Sequence, residues 1–291
     1  MKLQEYLNDW LLIRSPGLAP RTVDQYRDII DRIITPFMGS TRLRAVKPQN
    51  ITRLLAEISA EGHTRTAELV YVLLRSAFAQ AVTMRAVKYN PVEAVLRPRH
   101  IQKAGKAWND AQIAAYLDAI RGHRHEIAFL LAILCGLRRG EICGLRWEDV
   151  DLTAGVFHVH NQRQRLANGQ QVDRPPKSRA GIRDVPIPEE MLGVIRASRQ
   201  LAGYVVPLSP GGLDQVHRRL LRRLELPYIR LHDLRHTMGT AAIRHGASMR
   251  ALQLVLGHAD YRTTANRYTH PDAEMLHHVI DCVTRISQAC T

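Results

Sequence analysis

Gly136-Leu137-Arg138-Arg139-Gly140-Glu141, followed by Leu145-Arg146-Trp147-Glu148-Asp149-Val150-Asp151, marks the place where the chain changes character. Before it, Glu126 to Leu134 is apolar enough for a buried helix that ends at Gly136. After it, Val156-Phe157-His158-Val159-His160 alternates like a strand, Asn168-Gly169 is a hairpin turn, and Asp184-Val185-Pro186-Ile187 resembles a short edge strand. From Met191 onward the pattern is helical again. The expected class is mainly α with a small β-hairpin or sheet, an α+β arrangement. Taken alone, Gly-Leu-Arg at a helix start is usually a surface turn. Its weight comes from what lies around it.

Upstream, apolar residues recur at three- and four-residue spacing in Leu3, Tyr6, Leu7, Trp10 and Leu11, then in Val23, Tyr26, Ile30 and Ile33. Pro16-Gly17 and Pro20 break the first helix, and Pro36 with Gly39 should end the second, which spans Thr22 to Ile34. Pro48 to Ser59 reads as a short helix and Arg65 to Val87 as a longer one, stopped by Asn90-Pro91. Four helices with few strands suggest a compact bundle over residues 1–95. Residues 96–108 include Arg97, Arg99, His100, Lys103 and Lys106 with a proline and a glycine and lack apolar periodicity, as a basic interdomain linker would. A second domain, 109–291, opens with a helix capped by Asn109 or Asp110.

The chain has 291 residues, 45% hydrophobic and 23% charged, which supplies a packed core and excludes a disordered or collagen-like protein. No apolar run approaches the ~18 residues of a bilayer span, and the acids and amides of the first ten residues do not make a signal peptide. The four cysteines form no C-x-x-C pair. With 41 basic and 27 acidic residues the net charge is +14. It divides as +8 over 1–108 and +6 over 109–291, so both halves are basic. A polyanion, nucleic acid ahead of an anionic membrane surface, is the favoured partner.

Three further segments carry chemistry. Pro176-Lys177-Ser178-Arg179 lies in the hairpin region. Leu231-His232-Asp233-Leu234-Arg235-His236-Thr237 puts His232 and Arg235 on one helical face, where two donors can converge on an anion. Leu256-Gly257-His258-Ala259-Asp260 is followed, ten residues after His258, by Tyr268 in Arg267-Tyr268-Thr269-His270. Each has an innocent reading: a solvated lysine, a core or hydrogen-bonded tyrosine. His232 and His236 sit at metal-pair spacing, but the zincin glutamate and a third ligand are missing.

Together and in this order, these motifs closely resemble those of the tyrosine recombinases, the phage-integrase family of site-specific DNA recombinases. The resemblance covers nearly the whole chain. It implies a helical core-binding domain and a mixed catalytic domain forming a C-shaped clamp on DNA. It also implies cleavage and rejoining through a 3′-phosphotyrosine, in integration or excision. The family's catalytic residues fall on Arg138, Lys177, His232, Arg235, His258 and Tyr268. Tyr268 is the implied nucleophile. Arg138, Arg235 and His258 would hold the phosphate, Lys177 would protonate the leaving 5′-oxygen, and His232 would serve the tyrosine proton. Arg138 is chosen over Arg139 because it directly follows Gly-Leu. No cofactor and no metal is expected, since the covalent bond conserves the phosphodiester's energy.

Around these six, Glu141 is a candidate to fix the Arg138 guanidinium, with a surface ion pair as the alternative. Trp147 and Asp149 should brace the following turn, and His236 should pack inside the domain. Arg21, Thr22, Arg65 and Thr66 at helix starts, with Arg99, Lys103 and Lys106 in the linker, are candidate DNA contacts. The stripe Met275, Leu276, Val279, Ile280, Val283 and Ile286 suggests a terminal helix. By the resemblance it would dock on a neighbour, in a homotetramer on two duplexes with inverted-repeat core sites, from a protein that is monomeric when free. The chain starts almost at the core-binding helix, so an arm-binding domain is not expected in it. A cytoplasmic setting and no membrane partner complete the expectation. The competing readings are a type IB topoisomerase-like relaxing enzyme and a DNA-binding regulator that does not cleave.

Overall fold

The computed structural model describes residues 1–100, 105–166, 168–176 and 178–257. Lys103, Lys177, His258, Tyr268 and the apolar stripe from Met275 to Ile286 lie outside the described residues. The chain divides into two compact units, one built on Met1–Lys103 and the other on Ala104–Arg165 and Gly169 onward.

The first unit is helical. In α1 (Leu3–Arg14) the residues at helical spacing, Leu3, Tyr6, Leu7, Trp10 and Leu11, are all buried, and the Tyr6 hydroxyl donates to the Ala77 carbonyl at 2.7 Å. α2 (Pro20–Ile29) starts on Pro20, whose missing N–H costs nothing in a first turn. The second helix does not end at Pro36. A π-turn over Ile30–Ile34, closed by the Thr35 N–H on the Ile30 carbonyl, leads into α3 (Thr35–Met38) with Pro36 inside it. A proline collides with the carbonyl four residues back, and widening the preceding turn relieves that collision. α4 (Pro48–Ala60) buries Ile51, Leu54, Leu55 and Ile58 against α5 (Thr64–Thr83). α5 stops short of Val87, because Arg85 turns left-handed at φ 56°.

The second unit begins at the linker's end. Trp108, expected in the linker, is 1% exposed. Its backbone N–H donates to Thr237 Oγ1 at 3.2 Å and its indole N–H to the Pro227 carbonyl at 2.9 Å. Burying such a ring contributes more than the ~2 kcal/mol typical of an aliphatic side chain. α6 (Asp110–Ile120) is capped by Asn109, whose Oδ1 accepts the Gln112 N–H. α7 (Glu126–Ile133) is buried on all sides, from Ile127 to Ile133, and forms the centre of the core. After it come α8 (Arg139–Gly144) and two small antiparallel sheets. β1 (Val150–Asp151), β2 (Val156–Val159) and β5 (Arg183–Pro186) make one, with Phe157 paired to Val185. β3 (Gln162–Arg165) and β4 (Gln171–Arg174) make the other, a hairpin in which Gly169 turns at φ 83°.

α9 (Glu189–Ser198), α10 (Pro210–Leu221), α11 (Leu231–Arg244) and α12 (Met249–Leu256) follow, in keeping with the helical pattern from Met191 onward, with an irregular loop between α9 and α10. The protein is mainly helical with small antiparallel sheets. Among the described residues, no helix is long and apolar enough to cross a membrane.

Candidate active site

Two glycines in the left-handed region define the site's frame. α7 ends in a reversal at Gly136, φ 60°, and α12 ends at Gly257, φ 63°. Both positions are crowded as well as turned. A Cβ on Gly136 would stand 2.7 Å from Leu256 Cδ2, and one on Gly257 would stand 2.7 Å from the Ala180 carbonyl oxygen. The ends of α7 and α12 are therefore pressed together at a place where only glycine fits.

Arginines from two other helices close that junction. Arg138, the residue before α8, donates through Nη1 to Glu141 Oε1 at 2.7 Å and through Nη2 to the Gly257 carbonyl at 3.0 Å. Arg235, on α11 and 1% exposed, donates to the carbonyls of Gly136 at 2.6 Å and of Leu256. The Leu256 and Gly257 carbonyls are ones that the end of α12 leaves without an intrahelical partner, and the Gly136 carbonyl lies in the turn that follows α7. Arg139, the neighbouring alternative, pairs with Asp214 on α10. Arg138 uses only two of the five guanidinium N–H donors in these bonds, and its side chain is 35% exposed.

Glu141 is not a surface ion pair. It is 2% exposed and binds Arg183 as well, with Arg183 Nη2 at 3.0 Å from Oε2. Burial by itself would raise this carboxyl, but Arg183 and Arg138 outweigh burial and hold it below the ordinary glutamate range. Arg183 continues to the Val255 carbonyl at 2.6 Å, so one buried carboxylate ties α8, β5 and α12 together. Sequence reading missed Arg183 altogether, because a lone arginine opening an edge strand carries no local signal.

His232, the second residue of α11, is exposed. The start of α11 is fixed by Asp233, which accepts the Arg230 N–H at 2.9 Å and the Arg230 guanidinium at 2.7 Å. His232 and Arg138 line one cleft of about 470 Å³ together with Arg139, Arg218, Tyr228 and Arg230. Cations dominate that lining, with Asp214 the one acidic side chain there among the described residues. His236 is half-buried on the other side, with Cδ2 2.7 Å from where a Gly105 Cβ would be. Among the described residues no three His, Cys, Asp or Glu side chains are grouped to hold a metal ion. Of the six sequence candidates, then, Arg138 and Arg235 share a frame and His232 shares a cleft with Arg138. Lys177, His258 and Tyr268 lie outside the described residues, although His258 directly follows the anchored Gly257 in sequence.

Trp147 and Asp149 brace the turn after α8. The Trp147 N–H donates to the Gly203 carbonyl, and Asp149 accepts the Arg146 N–H, both at 2.9 Å. Behind the cleft, His217 is 1% exposed. It lies 3.1 Å from the Ile229 carbonyl through Nε2 and 3.2 Å from the Tyr116 hydroxyl through Nδ1. Burial pushes it down to about 4. In the first unit, Arg21 is exposed and Thr22 half-buried in the first turn of α2, while Arg99 is exposed, as is Lys106 in the second unit. Thr66 is half-buried, and Arg65 is ion-paired to Glu68.

The model of the phage integrase family matches residues 106–275, and that of the phage integrase central domain matches residues 3–97. A tyrosine recombinase XerC-like protein of Caldanaerobacter subterraneus is 24% identical over 92% of this chain and 79% of its own length. Among solved structures, the Tn1549 transposon integrase in complex with a circular intermediate DNA superposes with a TM-score of 0.82 at 21% identity, covering 97% of this chain and 99% of the other. A lambda integrase tetramer bound to a Holliday junction gives a TM-score of 0.71 at 18% identity, over 94% and 80% of the two chains.

Proposed function

Since the chain belongs to the phage integrase family and is a site-specific DNA recombinase of the tyrosine type, we propose that it cleaves and rejoins duplex DNA through a 3′-phosphotyrosine formed by Tyr268. The observation that carries this reading is the junction of Gly136, Leu256 and Gly257. It fixes Arg138 and Arg235 by their guanidinium edges, and its Gly257 directly precedes His258 in the chain. Phosphoryl transfer asks a protein mainly for alignment and for stabilisation of charge on the non-bridging oxygens. Two permanently charged guanidiniums held by the backbone supply that without reorganising. His258 adds a donor to the same phosphate, and His232, on the cleft wall beside Arg138, takes the phenol proton. Lys177 protonates the leaving 5′-oxygen.

The partner is double-stranded DNA, and the working assembly is a homotetramer joining two duplexes at inverted-repeat core sites, built from a free monomer. The solved likenesses on a circular intermediate and on a Holliday junction support that reading. Arg21, Thr22, Arg65, Thr66, Arg99, Lys103 and Lys106 contribute phosphate contacts outside the cleft. The protein acts on DNA in the cytoplasm of a bacterial or phage-infected cell.

The test selects a crossover site from randomised duplexes retained by the Tyr268→Phe protein. That site is then offered, nicked to trap the intermediate, to the unmodified protein and to the variant. A denaturation-resistant protein–DNA adduct should form only with the tyrosine present. An adduct that survives in Tyr268→Phe removes Tyr268 as the nucleophile. Relaxation of arbitrary supercoiled plasmid without strand exchange would instead favour the topoisomerase-like activity.

A further inference from the structure

The hairpin of β3 and β4, after which Lys177 follows, is referenced to α8, the helix that presents Arg138, by two independent sets of contacts. The first is backbone against backbone. A Cβ on Gly140 would stand 3.1 Å from the Arg163 carbonyl oxygen, and one on Gly144 would stand 2.9 Å from the Arg163 nitrogen. Gly144 thus lets β3 lie against α8 at a distance no side chain allows.

The second set is made by side chains at the same level of the hairpin. Asp173 on β4 is the ladder partner of Arg163 on β3. Its Oδ2 accepts from the Tyr204 hydroxyl at 2.7 Å and from Arg146 Nη2 at 3.1 Å, and Arg163 Nε stands 3.8 Å from Oδ1. Both guanidiniums also stack on Tyr204, with the Arg163 carbon 3.9 Å and the Arg146 carbon 5.1 Å from the ring centroid. Arg146 and Tyr204 form a backbone bridge, and the Val205 N–H donates to the Leu145 carbonyl at 3.0 Å. The lock is therefore fastened to the segment that leaves α8. Asp173 and Arg163 are each only 20% exposed, so the charges are held in partly dehydrated surroundings.

Between Asp173 and Lys177 the chain runs Arg174-Pro175-Pro176. Two prolines make a stiff step, because each fixes its own φ and restricts the residue before it. The step is also held from outside: Gln162 Nε2 donates to the Pro175 carbonyl at 3.1 Å, and a Cβ on Gly181 would fall 2.4 Å from Pro176 Cβ.

We propose that Asp173 is a positioning residue for the general-acid step: through Tyr204, Arg146 and Arg163 it fixes β4, four residues ahead of Lys177 in the chain, to the frame of α8, and proton donation to the leaving oxygen depends on that lock. This rests on the reading of Lys177 as the general acid. In cleavage the Tyr268 oxygen bonds to phosphorus, the phosphorus–O5′ bond breaks, the phenol proton passes to His232, and the Lys177 ammonium gives its proton to O5′. Religation returns both protons.

The experiment compares single-turnover cleavage of the selected site with an ordinary 5′-oxygen and with a bridging 5′-sulfur at the scissile phosphate. Sulfur leaves as a thiolate and needs no proton. On the oxygen substrate Lys177→Ala and Asp173→Asn should both be slow, Asp173→Asn by roughly 10- to 100-fold, with DNA affinity unchanged. On the sulfur substrate both should match the unmodified protein. Tyr204→Phe keeps the stacking ring and loses only the hydroxyl bond to Asp173. It should be slowed less and recover in the same way, and it carries the comparison if Asp173→Asn does not fold. A Lys177→Ala protein that stays slow on sulfur overturns the general-acid reading. Recovery of Lys177→Ala without recovery of the Asp173 and Tyr204 variants, or no slowing in those variants at all, overturns the positioning role alone.

Discussion

Glu141 in the second unit and Glu68 in the first are each gripped by two arginines, yet the two triads are different devices. Glu141 is 2% exposed, Arg183 7% and Arg138 35%. Glu68 is 14% exposed, but its partners Arg65 and Arg97 are 61% and 59% exposed. Arg65 and then Arg97 hold the Glu68 carboxyl below its ordinary range by direct hydrogen bonds. Their guanidiniums stay hydrated and screened by salt, which makes such pairs weak and quickly exchanged. A charge deprived of water, by contrast, has no substitute for its partner. The same three side chains give a fixed frame where water is excluded and an exchangeable clasp where it is not. A frame suits a phosphate that must be held in one geometry. A clasp suits a backbone that must be gripped and let go.

The comparison breaks first at Glu141. Glu141→Gln keeps the shape and removes the countercharge from two arginines, one of them buried, at an expected cost on the order of 3–5 kcal/mol. Urea unfolding would read it, and a loss under about 1 kcal/mol would mean that the frame is no frame. His217 sharpens the contrast, since it is buried on hydrogen bonds to a carbonyl and a hydroxyl. Its folded value of about 4 lies below the ~6.5 of an unfolded histidine, so the folded state favours the neutral ring. The associated stability is complete above about pH 6.5 and drains away as pH falls towards 4, by roughly 3 kcal/mol in all. His217→Gln should flatten the pH dependence of the unfolding midpoint across that window. A variant with the unmodified slope would place the titration elsewhere.

The smallest effect on stability belongs to Glu68. Glu68→Ala should leave the midpoint of urea unfolding close to that of the unmodified protein. It releases Arg65 and Arg97 to phosphate, so DNA binding should tighten at low salt. The slope of log affinity against log salt should steepen by up to about 0.9 for each additional phosphate neutralised. A large loss of stability with an unchanged salt slope would make Glu68 a second frame.

What the sequence made legible was local. The buried face of α1 follows from the spacing of Leu3, Tyr6, Leu7, Trp10 and Leu11, the start of α6 from Asn109, and the β3–β4 turn from Asn168-Gly169. Those signals are set by residues three or four apart. Arg183, Asp173 and Tyr204 were invisible because the hydrogen bonds that tie Arg183 to Glu141, and Asp173 to Arg146 and Tyr204, span 27 or more positions of the chain. No periodicity encodes such pairings. Pro36 misled for a different reason: a proline is a sound helix breaker unless the preceding turn has room for an extra residue, as Ile30–Ile34 does. The opening motif itself was half legible. Its arginine could be named, but the service of Gly140 and Gly144 as the seat of β3 emerges only when the strand lies on the helix.

Arg235 carries a consequence for what can replace it. Its guanidinium reaches the Gly136 carbonyl in the turn after α7 and the Leu256 carbonyl that ends α12 at once, one from each terminal nitrogen. A lysine would keep the positive charge, but its donors radiate from a single atom and cannot bridge two acceptors set to the width of a planar fork. Charge and breadth are separable properties of this side chain. The fold selects for breadth, because the turn after α7 and the end of α12 are riveted across it, whereas a phosphate would ask chiefly for charge.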